Sequence, residues 1–290
     1  MMNIDEQKDK IIQLVDSYYM PHLMHSIVDA IKPSIRMKTF SLKDEDIRIG
    51  ASKIGGVPDL PIGWKWPTWN ETPLEFIAQI ALSEVAPYAT EHILPTYGIL
   101  YFFFDIDLYF KMWNEQKFFW KVLFYDGDIS QLRRVAVLPV LSSKTSHEEV
   151  YITSSCTVEF STELTIPPFD SIPLRHMDVN TPYFKLLEDV EKLYDEITMP
   201  SIHRLLGHPD AIQNDMQIEC QFDFEKLIPR YSAPETIIKA AEAWTLLLQI
   251  DSDDNIKRDW GDNGRLYFWI HEDDLLACKF ERVHGILQCY

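Results

Sequence analysis

The segment Pro73-Leu-Glu-Phe-Ile-Ala-Gln-Ile80, followed after a polar loop by Gly98-Ile-Leu-Tyr-Phe-Phe-Phe-Asp105, has a close counterpart later in the chain. The counterpart is Trp244-Thr-Leu-Leu-Leu-Gln-Ile250, followed by Gly264-Arg-Leu-Tyr-Phe-Trp-Ile-His271. In each copy a Gln-Ile pair precedes a Gly-x-Leu-Tyr-Phe strand, with a loop of similar length between them. A repeat of this size predicts one architecture built from two similar halves. We expect the two glutamines to take equivalent positions and to bond backbone groups.

A third motif supports the repeat, because Gly56-Val-Pro-Asp59 upstream of the first copy matches Gly207-His-Pro-Asp210 upstream of the second. The predicted fold class is α+β, with internally duplicated antiparallel β units and covering helices. Residues 1–50 are predicted to form an N-terminal helical segment and the first strand. Residues 51–175 would form the first β-rich repeat and residues 176–290 the second, of helix plus β. The two repeats would pack as one compact unit.

Apolar periodicity predicts the remaining elements. A helical pattern runs from Asn3 to about Ile31 and is interrupted at Pro21, because proline breaks a helix interior. Further strands are predicted at Trp120–Tyr125, Val135–Leu141 and Val150–Phe160. A helix beginning at Thr181 is predicted to bury Phe184, Leu187, Val190, Tyr194 and Ile197 along one face.

Composition limits the classes of partner. The 290-residue chain carries a formal charge of −18, from 45 acidic and 27 basic side chains. A field of that sign opposes nucleic acids and anionic membranes, so we expect a basic or neutral protein partner. The N-terminus is charged where an export signal would be apolar, which indicates a cytoplasmic protein. The four cysteines lack Cys-x-x-Cys spacing, which is typical of reduced, packed thiols.

Three tryptophans, Trp64, Trp66 and Trp69, lie in a loop rich in proline and glycine between 55 and 73. Stiff aromatic surface binds ligands at low entropic cost, so these side chains are candidates for a shelf that takes a peptide or a sugar. The alternative is that they cover one side of the sheet, since three exposed indoles would form an unusually large apolar patch.

An acidic loop in the second repeat has the ligand spacing of a calcium loop. Oxygen-bearing side chains occupy its first, third, fifth, ninth and twelfth positions: Asp251, Asp253, Asn255, Asp259 and Asp262. The motif departs from the pattern because Ile256 replaces the turn glycine and the last ligand is a short aspartate. The alternative is a solvated hairpin loop in which Lys257 and Arg258 fold back as counter-ions. We therefore expect no cofactor, with calcium as the alternative.

Two histidines, His203 and His208, flank the Gly207-His-Pro turn and are weak candidates for ligand binding. Their spacing does not place them on one helical face, and no zinc-type pair occurs in the sequence. Because no nucleophile–base signature accompanies them, the sequence favours a non-enzymatic binding or interaction protein. The alternative is a metal-dependent hydrolase that uses the acidic 251–262 loop with a histidine from this turn.

Five ordered motifs together resemble the YwqG family of bacterial proteins of unknown function. They are Gly55-Gly-Val-Pro-Asp-Leu-Pro61, Leu74-Glu-Phe-Ile-Ala-Gln-Ile80, Gly98-Ile-Leu-Tyr-Phe-Phe103, His203-Arg-Leu-Leu-Gly-His-Pro209, and Leu247–Asp254 with Trp260–Phe268. The resemblance implies a duplicated α+β fold and a cytoplasmic bacterial protein, and it supplies no catalytic residues. Some such proteins are associated with toxin and immunity gene neighbourhoods, which implies an immunity-like role as one form of the binding function.

Overall fold

The computed structural model describes residues 2–112, 119–135, 153–179, 181–194, 201–227 and 233–290. Within these ranges the helices are α1 (Ile4–Ser17), α2 (Pro21–Asp29), α3 (Leu82–Val85), α4 (Ile106–Met112), α5 (Thr181–Glu191), α6 (Met216–Phe224), α7 (Glu235–Ala241) and α8 (Glu272–Leu276). The strands are β1 (Lys32–Ser41), β2 (Lys53–Ile54), β3 (Asp59–Pro61), β4 (Thr68–Trp69), β5 (Thr72–Pro73), β6 (Glu75–Ala81), β7 (Ile99–Phe104), β8 (Trp120–Tyr125), β9 (Leu132–Arg134), β10 (Cys156–Thr165), β11 (His203–Leu205), β12 (Trp244–Asp251), β13 (Arg265–His271) and β14 (His284–Gln288). The α+β class is therefore confirmed.

Ten of these strands form one sheet in the order β14-β13-β12-β11-β1-β10-β2-β6-β7-β8. Every neighbouring pair in that order is antiparallel. At the centre β1 pairs with β10 along its whole length, from Lys32 opposite Thr165 to Ser41 opposite Cys156. Two small ladders, β3 with β9 and β4 with β5, lie outside this sheet.

The sheet curls until its two ends meet. The indole of Trp120 in β8 donates from Nε1 to the carbonyl oxygen of Val283, just before β14, at 2.8 Å. Inside the curve, Phe102 of β7 and Phe268 of β13 pack edge to face with ring centroids 5.0 Å apart. One large apolar core therefore fills the concave side of the sheet.

Helices pack against the sheet in two further apolar clusters outside this core. α1, α2 and α5 bury Ile11, Leu23 and Leu186 in one cluster that also includes Leu164 of β10. α6 packs on β12 and β13 in a second cluster. The helical pattern predicted for the N-terminus is confirmed as two helices, with a break before Pro21.

α5 is rotated relative to the prediction. It buries Tyr183, Leu186 and Val190. Of the predicted stripe, Val190 is buried and Leu187 is partly buried, but the prediction was wrong for Phe184, which is 44% exposed. The hydroxyl of Tyr183 donates to the carbonyl of Pro167, which fixes the rotation of the helix. Residue Ile197 of the predicted stripe lies outside the described residues.

Two predicted strands are only partly covered by the description. Of Val135–Leu141, only Val135 is described, and it follows β9. Of Val150–Phe160, residues 153–160 are described, and the strand runs from Cys156 to Thr165. The first Gly-x-Leu-Tyr-Phe segment forms β7, which ends at Phe104, and α4 begins at Ile106.

In the first half, Gln79 is fully buried and bonds backbone on both sides of its amide. Its Oε1 accepts from the amide of Asp59 at 2.8 Å, and its Nε2 donates to the carbonyl of Ala51 at 2.7 Å. Tyr101, which lies opposite Gln79 in the ladder, donates its hydroxyl to the carbonyl of Asp59 at 2.7 Å. This network ties the Gly-Val-Pro-Asp turn to the sheet.

In the second half, Gln249 has the same arrangement. Its Oε1 accepts from the amide of Asp210 at 2.9 Å, and its Nε2 donates to the carbonyl of Ile202 at 2.7 Å. Tyr267, opposite Gln249 in the ladder, donates its hydroxyl to the carbonyl of Asp210 at 2.7 Å. The prediction that both glutamines bond backbone groups is confirmed.

A buried charge cluster crosses the middle of the sheet. Arg36 donates to Glu163 at 3.0 Å and to Glu191 at 2.7 Å, and Arg204 lies 3.1 Å from Glu163 and 2.7 Å from Glu191. Burial would raise the pKa of Glu191, but Arg204 and Arg36 outweigh it and lower the pKa to about 2. The four charges balance and lock β1, β10, β11 and α5 together.

No helix in the described ranges is long and apolar enough to cross a membrane. All four cysteines are free thiols, with Cys156 and Cys220 buried. Burial raises the pKa of the Cys156 thiol to about 11, so this group is not poised as a nucleophile.

Candidate functional site

A half-open cleft lies on the convex side of the sheet in the second half of the chain. It encloses about 400 Å³ including its mouth. Its closed part has room for about one water-sized group. The side chains that define its chemistry are Lys32, Asp170, His208, Asp215, Trp244 and Trp269. Strands β12 and β13 supply the two tryptophans, while loops and the start of α6 supply the polar groups.

The turn after β11 brings His208 into this wall. Leu206 and Gly207 have positive φ values of 61° and 71°, which reverse the chain sharply. A Cβ on Gly207 would lie 2.6 Å from Cβ of Ser34 and 2.8 Å from Oγ1 of Thr165. Glycine is therefore required by both the backbone conformation and the close approach of β1 and β10.

His208 is a structural group of this wall. Its Nε2 donates to the carbonyl of Ala30 at 2.6 Å, and its backbone amide donates to Oγ1 of Thr165 at 2.9 Å. Burial and the charge of Lys32 lower the pKa of His208 to about 3. The imidazole is therefore neutral near pH 7, and its donor nitrogen is occupied.

Two carboxyl groups lie in the cleft with different surroundings. Asp215 caps α6 by accepting from the amide of Ile218 at 3.1 Å, and it also accepts from the amide of Ile172 at 3.1 Å. Asp170 has a buried Oδ1 with no hydrogen-bond partner among the described residues. Burial and the nearby charge of Asp215 raise the pKa of Asp170 to about 6. Asp170 can therefore change between its neutral and charged forms close to neutral pH.

The two indoles also differ. Trp244 donates from Nε1 to Oε1 of Gln221 at 2.9 Å. Trp269 is only 3% exposed, and in the described structure its Nε1 is buried without an acceptor. A buried polar group without a partner costs about 1–3 kcal/mol of folding free energy. Two residues that line the cleft thus each have a buried polar atom without a hydrogen-bond partner in the described structure: the acceptor Oδ1 of Asp170 and the donor Nε1 of Trp269.

Other buried atoms without a hydrogen bond in the described ranges belong to charged side chains that form ion pairs: Arg36, Glu75, Arg204, Arg258 and Arg265. Those atoms are compensated electrostatically by their partners. The two unpaired atoms of the cleft have no such ion pair, and this distinguishes the cleft from the buried charge networks.

The other histidine candidate, His203, lies in β11 and contacts the acidic loop. Its Nδ1 accepts from the amide of Asp251 at 3.1 Å, and its Nε2 lies 3.0 Å from Oδ2 of Asp253. Because Nδ1 accepts, Nε2 has the proton that Asp253 accepts. Of the two candidate histidines, His203 contacts the acidic loop, whereas His208 lies in the cleft wall.

Protein donors hold the first two carboxylates of the acidic loop. Asp251 accepts from the amide of Ile202 at 2.8 Å and pairs with Arg265 at 3.0 Å. Asp253 accepts from Oγ1 of Thr39 at 2.6 Å as well as from His203. Burial would raise the pKa of Asp253, but the hydrogen bonds of His203 and Thr39 outweigh it and lower the pKa.

The rest of the loop closes turns on itself. The Asn255 amide donates to Oδ1 of Asp253 at 2.8 Å, and Asp259 accepts from the amide of Asn263 at 3.0 Å, while Asp262 is exposed. No group of three or more His, Cys, Asp or Glu side chains in the described ranges is placed to hold a metal. The five calcium candidates therefore do not converge as a coordination shell.

The counter-ions differ from those predicted. Arg258 donates to Glu75 of β6 at 2.7 Å, outside the loop, and Lys257 is exposed with a positive φ of 52°. The guanidinium that neutralises Asp251 comes from Arg265 at the start of β13. Arg265, which pairs with Asp251 in the ladder of β12 and β13, therefore takes the counter-ion role that was predicted for Lys257 and Arg258.

The three loop tryptophans pack on aromatic rings near the first half of the sheet. Trp64 is 39% exposed and lies edge-on to Tyr125, with centroids 5.7 Å apart. Trp66 packs on Phe103 at 5.7 Å, and Trp69 packs on Phe119 at 5.1 Å. Their contacts are those of a cover, and a shelf for a peptide or sugar remains a prediction.

Sequence reasoning found His208 but missed the other groups of the cleft. Asp170 follows a Pro-Pro pair in an irregular loop, and nothing local marks it as functional. Trp269 did carry a signal, because the second Gly-x-Leu-Tyr-Phe copy has tryptophan where the first has Phe103. A comparison of the two copies position by position would have identified it.

The fold and the cleft together define a class: an α+β protein with one curled antiparallel sheet and a small polar cleft beneath its helix-covered face. Within that class, the chain belongs to the family described as a domain of unknown function (DUF1963), whose model matches residues 52–289. A search of curated proteins found no match. The matched region begins next to β2 and therefore does not include β1, although β1 lies in the middle of the ten-stranded sheet.

Proposed function

We propose that this protein is a non-enzymatic binding protein whose cleft takes a small polar group of its ligand. The observation that carries the proposal is the unpaired acceptor Asp170 Oδ1 and the unpaired donor Trp269 Nε1 in one cleft. Binding sites tolerate polar atoms that folding alone leaves unsatisfied, because the ligand completes their hydrogen bonds.

Several contacts favour binding over catalysis. His203 uses Nδ1 to accept a backbone hydrogen bond, so it lacks a free basic nitrogen. His208 uses Nε2 as a donor to Ala30 and stays neutral in the physiological range. A general base needs an available lone pair and enough basicity to take a substrate proton. The Nδ1 lone pair of His203 is occupied, and His208, with a pKa of about 3, is too weak a base near neutral pH.

We also infer that the two halves are copies of one unit. The networks of Gln79 with Asp59 and of Gln249 with Asp210 support this inference, since each joins the same atoms with nearly the same distances. β1, which precedes the first half, pairs with β11 of the second half and with β10 of the first, so it joins the two halves in one sheet.

The two halves differ at the cleft. In the first half, the indole of Trp66 packs on Phe103 and donates from Nε1 to the carbonyl of Leu74 at 2.8 Å. Phe103 occupies the ladder position two residues after the tyrosine that faces the glutamine. An aromatic side chain of the protein therefore covers this ring.

In the second half, Gln217 takes the place of that indole. Its Nε2 donates to the carbonyl of Trp244 at 2.8 Å, as Trp66 does to Leu74. Gln217 and Trp269, the counterpart of Phe103, both line the cleft. This divergence supports a binding role for the second half and a structural role for the first.

The net charge and the sequence motifs support the proposed class of partner and the proposed cellular location. The charge of −18 supports a basic or neutral protein partner rather than nucleic acid or an anionic membrane. The ordered motifs that resemble the YwqG family support a cytoplasmic bacterial protein, and an immunity-like role is one form that the binding function would take.

Two tryptophan variants test whether the cleft is poised for a ligand. Trp269→Phe removes an unpaired donor, whereas Trp244→Phe removes a donor that is bonded to Gln221. Both create a similar cavity, so we expect Trp244→Phe to lower the free energy of unfolding by about 1 kcal/mol more than Trp269→Phe. Urea unfolding measures the difference.

Equal losses would mean that Trp269 Nε1 is already satisfied in the ligand-free protein, and the proposal would then lose its main support. As a second readout, a fragment library of mixed chemistry is screened by ligand-observed NMR. Fragments that bind the wild type and not Asp170→Ala support the cleft, and a library in which no fragment distinguishes the two proteins overturns it.

A further inference from the structure

The hydrogen-bond needs of the cleft restrict the chemistry of its ligand, given the binding role proposed above. Asp170 Oδ1 needs a donor and Trp269 Nε1 needs an acceptor. A hydroxyl group both donates and accepts, so hydroxyl groups of one ligand match both needs with a single kind of chemistry. We propose that the cleft binds a neutral polyhydroxylated ligand, a saccharide or a polyol, through its hydroxyl groups.

Charged ligands fit the same atoms less well. An anion would accept from Trp269 but would be repelled by Asp170 and Asp215. A simple organic cation would satisfy Asp170 but would leave the Trp269 donor unpaired. A cation would also lie close to Lys32, which lines the same cleft. A group that both donates and accepts hydrogen bonds can satisfy Asp170 Oδ1 as well as Trp269 Nε1.

Apolar groups lie beside the polar atoms of the cleft. Pro168 and Pro209 line it together with the edges of Trp244 and Trp269, whose rings are each only 3% exposed. The C–H groups of a saccharide ring pack on apolar surface while its edge hydroxyls make hydrogen bonds. Because the closed part admits about one small group, a single hydroxyl would enter it while the ring lies in the open mouth.

The protonation of Asp170 gives this inference a distinct signature. Burial and Asp215 raise the pKa of Asp170 to about 6. A hydroxyl can donate to the charged carboxylate or accept from the neutral acid, so its affinity should change little between pH 7.5 and 5. An ammonium group needs the charged form, so its affinity should fall roughly tenfold per pH unit below about 6.

Other titratable groups near Asp170 could also change the pH dependence of binding. Asp215, His208 and Lys32 line the cleft, and Arg175 acts on Asp215. His208 stays neutral across this range because its pKa is about 3. Since burial also raises the pKa of Asp215, each titration is repeated with Asp215→Asn to separate the two carboxyls.

The experiment measures binding of defined probes to the full chain by calorimetry and ligand-observed NMR. The hydroxylated probes are methyl glucoside, N-acetylglucosamine and mannitol, and the contrasts are butylamine and acetate. We expect the hydroxylated probes to bind best, with affinity that varies less than about threefold between pH 5 and 7.5. Trp269→Phe should weaken them about tenfold, which corresponds to one lost hydrogen bond.

Asp170→Asn separates the ligand classes further. The amide still accepts and donates, so a hydroxylated probe should lose less than about fivefold, whereas an ammonium probe should lose its charge-assisted bond and more than about tenfold. The inference is overturned if butylamine or acetate binds better than every hydroxylated probe. Binding by those contrasts would leave the proposed binding function intact, whereas a cleft that binds none of the probes or library fragments would overturn both.

Discussion

Replacing Gln249 by leucine tests how the second half of the sheet is held. Leucine has nearly the volume of glutamine, so the change removes the amide without creating a large cavity. It leaves the carbonyl of Ile202 and the amide of Asp210 without their partner. Each unsatisfied group costs about 1–3 kcal/mol, so the free energy of unfolding should fall by about 2–5 kcal/mol.

The matched variant is Gln79→Leu, which removes the equivalent bonds to Ala51 and Asp59 and one further bond, from Nε2 to Oδ2 of Asp59 at 3.0 Å. If the halves are copies of one unit, both variants should lower the urea midpoint by a similar amount. Gln131→Leu serves as the control, because that side chain is exposed and should change stability by less than about 0.5 kcal/mol. A loss below about 1 kcal/mol for Gln249→Leu, or a difference above about 2 kcal/mol within the pair, would refute the reasoning.

Three further predictions follow from the buried charges. Glu163→Gln should lower the free energy of unfolding by about 3–5 kcal/mol in urea, because it leaves buried arginine charge uncompensated, whereas exposed Glu188→Gln should have little effect. The pKa of His208 is about 3 in the folded protein, so as pH falls below about 6.5 the unfolded chain binds a proton at this residue before the folded protein does. The free energy of unfolding should therefore fall by about 2 kcal/mol between pH 7 and 5. His208→Gln should remove that part of the pH dependence in unfolding curves, and an unchanged curve would contradict the assignment. Calcium should leave the melting temperature unmoved, because donors of the protein already hold Asp253; a saturable rise at sub-millimolar calcium would show otherwise.

Much of the fold could be predicted because it rests on local patterns. The Gly-x-Leu-Tyr-Phe strands have continuous apolar runs, Ile99–Phe104 and Leu266–Ile270, and both runs are buried on two faces as that composition indicates. The start of the N-terminal helix is set by local sequence, since Asn3 caps it and forms a capping box with Glu6. The rotation of α5 could not be predicted, because two adjacent stripes of its sequence are apolar. A tertiary bond from Tyr183 selects between them.

The candidate site depends on long-range contacts and was therefore mostly hidden from the sequence. The carboxyl of Asp170, the indole of Trp269 and the ring of His208 come from three separate segments that only the folded chain brings together. The acidic loop showed the opposite problem. Its spacing resembled a calcium site, but Arg265 and Thr39, which occupy its oxygens, come from β13 and β1.

The indole N–H signal of Trp269 in a ¹⁵N–¹H spectrum tests the central claim most directly. Its assignment comes from the signal that disappears in Trp269→Phe. On titration with methyl glucoside, the account predicts a saturable downfield shift of this signal, because the buried donor gains an acceptor, while the Trp244 signal, already bonded to Gln221, moves less. A Trp269 signal that stays in place at saturating hydroxylated probe, or one already at a hydrogen-bonded position in the free protein, would contradict the account.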